Sequence, residues 1–165
     1  MNRKEPGSML VFDPIADFSS VNLVRGKPSS PSSTFFNGQS GFANSSLAND
    51  GIWESHMKLT TGRFMCATTN SEQNNWWMVN LEHIYILSKV VILNRSDCCS
   101  NRLSKLAITV GETESNMHMC ATYDGPGGKG ELVNITCQTS VSGQFVKIRQ
   151  SDSSYLQLCE VGVYC

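Results

Sequence analysis

Arg95 and Arg102 stand seven positions apart, with Asp97 beside the first and the adjacent pair Cys98-Cys99 between them, directly after the apolar run Ile84 to Leu93. Each guanidinium presents a rigid fork of donors and accepts nothing, so the pair suits a ligand rich in acceptor oxygens, and Asp97 can hold a fork in place by a charge-assisted pair. Donors ordered in advance cost little when the ligand arrives. A bond between Cys98 and Cys99 would close a tight ring, because Cα atoms joined by a trans peptide are only about 3.8 Å apart. Such a ring offers a stiff apolar sulfur patch on which the C–H face of a sugar can rest while the arginines take its hydroxyls. The spacing equally permits each cysteine to bond a distant partner, since a cysteine pair does not reveal its connectivity.

The other residues able to do chemistry are scattered. His56, His83 and His118 are not set with a serine or cysteine as an activated nucleophile, and the cysteines lack zinc-ligand spacing. Catalysis is therefore not expected. Between Asp50 and Cys66, Trp53 and Phe64 can stack on the apolar face of a sugar or join the core. Phe35-Phe36, isolated ahead of Asn37-Gly38, either closes a strand end over the core or stands at a ligand rim.

Short strands must position these groups. Trp77, Val79 and Leu81 alternate with Met78 and Asn80, as in a half-buried strand. Ile84 to Leu93, Leu106 to Gly111, Gln144 to Arg149 and Leu156 to Tyr164 are further strands, and no long stretch has helical periodicity. Gly26 to Ser33 holds two prolines, which places it in a loop or at a sheet edge. Ala48-Asn49-Asp50-Gly51 is a turn. Gly111 to Met119 is expected as a loop. Strong turn chemistry from Asp124 to Gly130 separates Cys120 from Cys137, so a bond between them would staple a long excursion. Short strands with Gly, Pro and Ser punctuation predict an all-β sandwich.

Arg-x-Asp-Cys-Cys-x-x-Arg after a strand, Asn75-Trp76-Trp77-Met78-Val79-Asn80-Leu81 upstream and Leu158-Cys159-Glu160-Val161-Gly162-Val163-Tyr164 at the end together resemble the F-type lectins, or fucolectins, from about Val21 to Tyr164. The resemblance implies an antiparallel β-sandwich or jelly roll of discoidin-like type, with long ligand-binding loops at one end. It implies fucose or a fucosylated glycan as ligand, bound by Arg95, Arg102, Asp97 and the Cys98–Cys99 ring. The family's motif places a histidine where this chain has Thr68, whose hydroxyl donates and accepts but carries no imidazole. Altered affinity or specificity is the expectation. His56, in a longer loop than the family usually has, is the candidate substitute, and Phe64 a candidate sugar contact. The resemblance also implies a structural calcium ion held by the Asp50 and Glu160 side chains and by the carbonyls of Leu47, Ile52, Met65 and Cys159. Met65 stands where the pattern carries serine, which removes one hydroxyl. A Cys66–Cys159 disulfide is implied as well.

Length and composition fit these expectations. The chain has 165 residues and a net charge of -1, which offers no basic field for nucleic acid. No apolar stretch is long enough to span a membrane as a helix. Seven cysteines and the triads beginning at Asn44, Asn94 and Asn134, each a glycosylation acceptor by pattern, point to a secreted or extracellular setting. Residues 1–9 read as a tag or linker ahead of one domain over 10–165, with no secretory signal. Cys165 is left over if six cysteines pair internally. Single sugar sites are weak, so avidity calls for a homo-oligomer or tandem repeats. The alternative function is a discoidin-like adhesion module that binds a protein or lipid surface through Trp53 and Phe35-Phe36, without sugar recognition.

Overall fold

Residues 21–165 are described by the computed structural model, so the expected tag or linker over 1–9 lies outside the described residues. In chain order the strands are β1 Ser29–Pro31, β2 Phe36–Asn37, β3 Gly41–Phe42, β4 Ala67–Thr68, β5 Trp76–Leu93, β6 Leu106–Thr113, β7 Asn116–Tyr123, β8 Leu132–Gln150, β9 Gln157–Leu158 and β10 Glu160–Tyr164, with short 3-10 turns at Ser45–Ala48 and Ser100–Arg102. All pairings between strands are antiparallel.

β5 and β8 organise the rest. The N-terminal part of β5 pairs with edge strand β1 and with the end of β8, which continues to β6 and β7; its C-terminal part lies between β10 and the start of β8. One apolar cluster takes Trp77, Val79 and Ile148 from the first region and Val90, Ile92, Ile135 and Val161 from the second. The two regions therefore face each other across a common core as the layers of a sandwich, and β5 and β8 belong to both. The sequence pattern splits β5 into Trp76–Leu81 and Ile84–Leu93, but the backbone carries on through an irregularity between Asn80 and Tyr85. There Glu82 adopts a φ of 67° and donates its N–H to Asn80 Oδ1 at 2.8 Å. This bulge bends the strand from one layer into the other.

The loop expected over Gly111 to Met119 is instead the tip of the β6–β7 hairpin, with only Glu114 and Ser115 outside the strands. Residues 112–116 are exposed, so no side-chain alternation marks them as strand. Where β8 passes this hairpin a side chain is excluded: a Cβ at Gly143 would lie 2.5 Å from Val110 Cγ1 and 2.7 Å from the Gly111 nitrogen. A Cys120–Cys137 disulfide then ties β7 to β8. Cys165 is free and partly buried against the main core, and burial pushes its thiol pKa up.

A second, smaller cluster of Ala43, Met57, Phe64, Cys66, Leu93 and Cys159 sits beneath the loops, with Phe35 and Leu47 packed on it. The Cys66–Cys159 disulfide crosses it, joining residues 93 positions apart. Among the described residues no helix is long and apolar enough to cross a membrane.

Candidate functional site

The loop leaving β5 is shaped from below by Asn94, which is 1% exposed. Its amide nitrogen donates to the Ser100 and Gly128 carbonyls at 2.9 and 2.8 Å, and its side-chain oxygen accepts the Arg95 N–H at 2.8 Å. This corrects the glycosylation expectation at Asn94, because a buried amide with both hydrogens engaged accepts no glycan; Asn44 and Asn134 are exposed. Asn94→Ala leaves the Arg95 N–H without a partner and reduces the Ser100 and Gly128 carbonyls to the single N–H that each accepts from Leu103 and Glu131. The orphaned N–H costs about 1–3 kcal/mol and each of the two lost hydrogen bonds about 0.5–1.5 kcal/mol, so denaturant unfolding should show a loss of at least about 2 kcal/mol. A smaller loss would mean that water replaces the amide.

From this platform Arg95 donates through Nε to Asp97 Oδ1 and through Nη2 to Asp97 Oδ2, both at 2.7 Å. Asp97 Oδ1 also accepts the Met57 N–H at 3.0 Å. The Arg95 fork, aided by that N–H and opposed by partial desolvation, lowers the Asp97 pKa to about 2. The carboxylate thus stays ionised, and the arginine stays fixed, throughout the physiological range. Arg102 comes from the 3-10 turn after Cys99, whose φ of 59° reverses the chain. Its carbonyl accepts the Gln150 amide, its Nη1 donates to Gln157 Oε1 at 3.5 Å, and its guanidinium lies 4.8 Å from the centre of the Tyr155 ring.

Both arginines face one open cavity of about 380 Å³, within the roughly 300–1,000 Å³ range of small-molecule sites. Asp97, Thr68 and Phe64 line it too, so of the sugar-binding candidates all but His56, Cys98 and Cys99 converge there. Its aromatic side is Phe35, edge-on to Phe64 at 6.1 Å and to Tyr155 at 5.9 Å. Phe35 is thus at the rim, whereas Phe36 points away and packs on Phe42 at 4.6 Å. On the floor, Thr68 and Gln157 are partners across the β4–β9 pair, and both point at Met57: Thr68 Oγ1 lies 3.3 Å and Gln157 Nε2 3.4 Å from its sulfur.

Other expected residues lie elsewhere. His56 is not part of the cavity; its side chain is 60% exposed, and its Nδ1 is 3.0 Å from Glu54 Oε1. This corrects its assignment as the substitute for the missing imidazole, which a side chain held toward solvent by Glu54 cannot be. Trp53 is exposed and outside the lining. Cys98 and Cys99 are bonded to each other and partly buried, next to the cavity rather than lining it. Met57, Lys58, Tyr155 and Gln157 also line the cavity, although none is singled out as a sugar contact by the sequence: Met57 and Lys58 lie in the longer loop between Asp50 and Cys66, and Gln157 lies in the closing strand segment, in β9.

On the other side of the disulfide, Glu160 is fully buried, and its Oε1 accepts the Gly51 N–H at 3.1 Å while Oε2 has no partner. Burial, with the adjacent Asp50 carboxylate, raises the Glu160 pKa to about 8, partly offset by Arg25 and the Gly51 N–H. Gly51 has a φ of 86°, and a Cβ there would lie 2.5 Å from Arg25 Nε. Among the described residues no group of three or more His, Cys, Asp and Glu side chains is gathered for a metal. Two neighbouring carboxylates with an unpartnered buried oxygen nevertheless match a hard cation that takes its remaining ligands from carbonyls.

The sequence profile of the NedA-like, galactose-binding domain family (F5/F8 type C) matches residues 47–148. Fucolectin-5 of Anguilla japonica is 34% identical over 102 residues, which is 59% of this chain and 53% of its own length. Fucolectin-3 of the same species is 33% identical over 127 residues, 74% of this chain and 67% of its own. The chain thus spans between about half and two thirds of these relatives. The lectin domain of lectinolysin, solved in complex with Lewis B antigen, superposes with a TM-score of 0.74 at 28% identity, covering 88% of this chain and 97% of that one.

Proposed function

Since this chain belongs to the F-type lectin, or fucolectin, family of discoidin-like β-sandwich domains, we propose that it is a carbohydrate-binding lectin domain whose ligand is fucose or a fucosylated glycan. The observation that carries this reading is the Arg95–Asp97 fork, fixed at 2.7 Å in a cavity that Arg102 also lines. Arg95 spends Nε and one Nη on Asp97, which leaves Nη1 to donate to a sugar oxygen, while Asp97 Oδ2 keeps a lone pair for a sugar hydroxyl. Arg102 supplies further donors, and the rings of Phe35, Phe64 and Tyr155 suit the C–H face of a pyranose. The names of Fucolectin-3 and Fucolectin-5, and the Lewis B complex of the lectinolysin domain, support the same sugar class. Binding without chemistry is all that this arrangement needs.

The floor supports altered affinity or specificity. Thr68 is 3% exposed and its hydroxyl already faces the Met57 sulfur and the Cys66 carbonyl, so a thioether fills the floor where the family motif has an imidazole. A glycan array tests both statements. Fucosylated glycans should bind, with a ranking unlike that of Fucolectin-3; an identical ranking removes the role of Thr68, and no glycan signal with vesicle binding retained overturns the lectin reading in favour of an adhesion module.

For the Asp50–Glu160 pair the reading is a structural calcium ion that neutralises both carboxylates and takes carbonyls from Leu47, Ile52, Met65 and Cys159. The Ile52 carbonyl also accepts the Glu54 N–H, at 2.9 Å, and retains a second lone pair. A ligand that binds only the folded state stabilises it by about 2.7 kcal/mol at a hundredfold excess over Kd. Adding calcium to the chelated protein should therefore raise the melting temperature by roughly 5–10 °C, and Glu160→Gln should abolish the shift. An unchanged midpoint in EDTA removes the site.

The three disulfides favour an extracellular setting, where Asn44 and Asn134 are accessible to glycosylation. Useful avidity then comes from several copies, in an oligomer or in tandem over a single domain of residues 10–165.

A further inference from the structure

Four charged side chains line the cavity: Lys58, Arg95, Asp97 and Arg102. The Asp97 charge is already balanced by the Arg95 fork, with the Met57 N–H beside it. Among the described residues the ion pairs are Lys27–Glu82, His56–Glu54 and Arg95–Asp97, so neither Lys58 nor Arg102 has a carboxylate partner. Glu54, the nearest acid along the Lys58 loop, is turned to the N–H and ring of His56. Aromatic faces attend the two unpaired cations instead. Arg102 lies over Tyr155 at 4.8 Å, and Lys58 Nζ is 5.9 Å from the Phe64 ring centre. The cavity thus carries two uncompensated positive charges in a chain whose net charge is -1.

A neutral sugar needs donors, and the two arginines offer more N–H groups than it can use. A second guanidinium and an ammonium without counter-charge do more than that: they give the cavity a positive potential that favours an anion over a neutral group. We propose that the cavity selects an acidic glycan, a fucosylated one bearing a sulfate ester or a carboxylate that lies against Arg102 and Lys58. This deepens the lectin reading above and rests on it. Arg102 would meet either anion with its planar fork, and Lys58 would add a mobile point charge at the rim.

The test is a titration with a neutral fucosylated trisaccharide, the same trisaccharide sulfated on its galactose, and the same trisaccharide capped with sialic acid, at low and high salt. At least one acidic form should bind about tenfold tighter than the neutral form at about 0.05 M salt, and the advantage should shrink at about 0.5 M. Whichever acidic form gains identifies the source of the anion. Lys58→Gln, at an exposed position, should lower the affinity for the acidic form more than for the neutral one, so that their ratio falls. Neutral binding equal to or tighter than both acidic forms overturns the proposal while the fucose reading stands. No binding of any of the three overturns the fucose reading and this proposal with it.

Discussion

Arg95→Ala should eliminate detectable binding to fucosylated glycans while the domain stays folded. The substitution removes the free donors aimed at the sugar and leaves Asp97 charged with only the Met57 N–H for company. Hydrogen bonds to charged groups are worth about 1.5–3 kcal/mol each, so losing two of them lowers affinity by roughly a hundredfold or more. Folding should suffer little, because the Arg95 and Asp97 side chains are 13% and 31% exposed and ion pairs near the surface contribute about 0–1 kcal/mol. Arg95→Lys is the sharper control: an ammonium keeps the charge but cannot bridge both Asp97 oxygens in the plane of a fork. Calorimetric titration beside thermal melting reads both effects. Retained binding in Arg95→Lys would make charge, not geometry, the operative property, and retained binding in Arg95→Ala would move the site elsewhere.

The largest stability effect is expected from the double substitution Cys66→Ala with Cys159→Ala. The bond closes a separation of 93 residues, for which the loss of denatured-state entropy is worth about 4–5 kcal/mol. For a domain of this size that lowers the melting temperature by roughly 10–20 °C. The two sulfurs also pack in the small cluster with Met57 and Phe64, which carry the cavity floor and wall. Glycan affinity should therefore fall along with stability. A drop below about 1 kcal/mol would mean that the reduced, unfolded chain is already compact across this segment.

Much of the fold was legible because burial imposes local rules. The alternation of Trp77, Val79 and Leu81 gave the start of β5, and all three are buried. Prolines at 28 and 31 limited their stretch to a loop or a sheet edge, and β1 is an edge strand. The β6–β7 tip was misread since exposed residues obey no alternation, and the continuity of β5 was missed because its bulge, with Asn80 and Glu82, looks like a turn. The site divides in the same way. Arg95, Asp97 and Arg102 share one short stretch and could be read together. Gln157 reaches Arg102 over 55 positions and Met57 over 100, distances at which no pattern in the chain announces a contact. His56 was misplaced for a similar reason: the Glu54 that holds it is two residues away and visible, but which way that loop faces is decided by Asp97 and the Met57 N–H, across 40 positions.

Because β5 and β8 run through both layers, the sandwich has no seam along which one sheet can peel from the other. A bound glycan that tugs on the loop after β5 delivers its load directly into a strand hydrogen-bonded along most of its length to β8, so rupture requires many ladder bonds to slide in shear at once rather than open one after another. A load on the site loop is thereby shared among many hydrogen bonds at once.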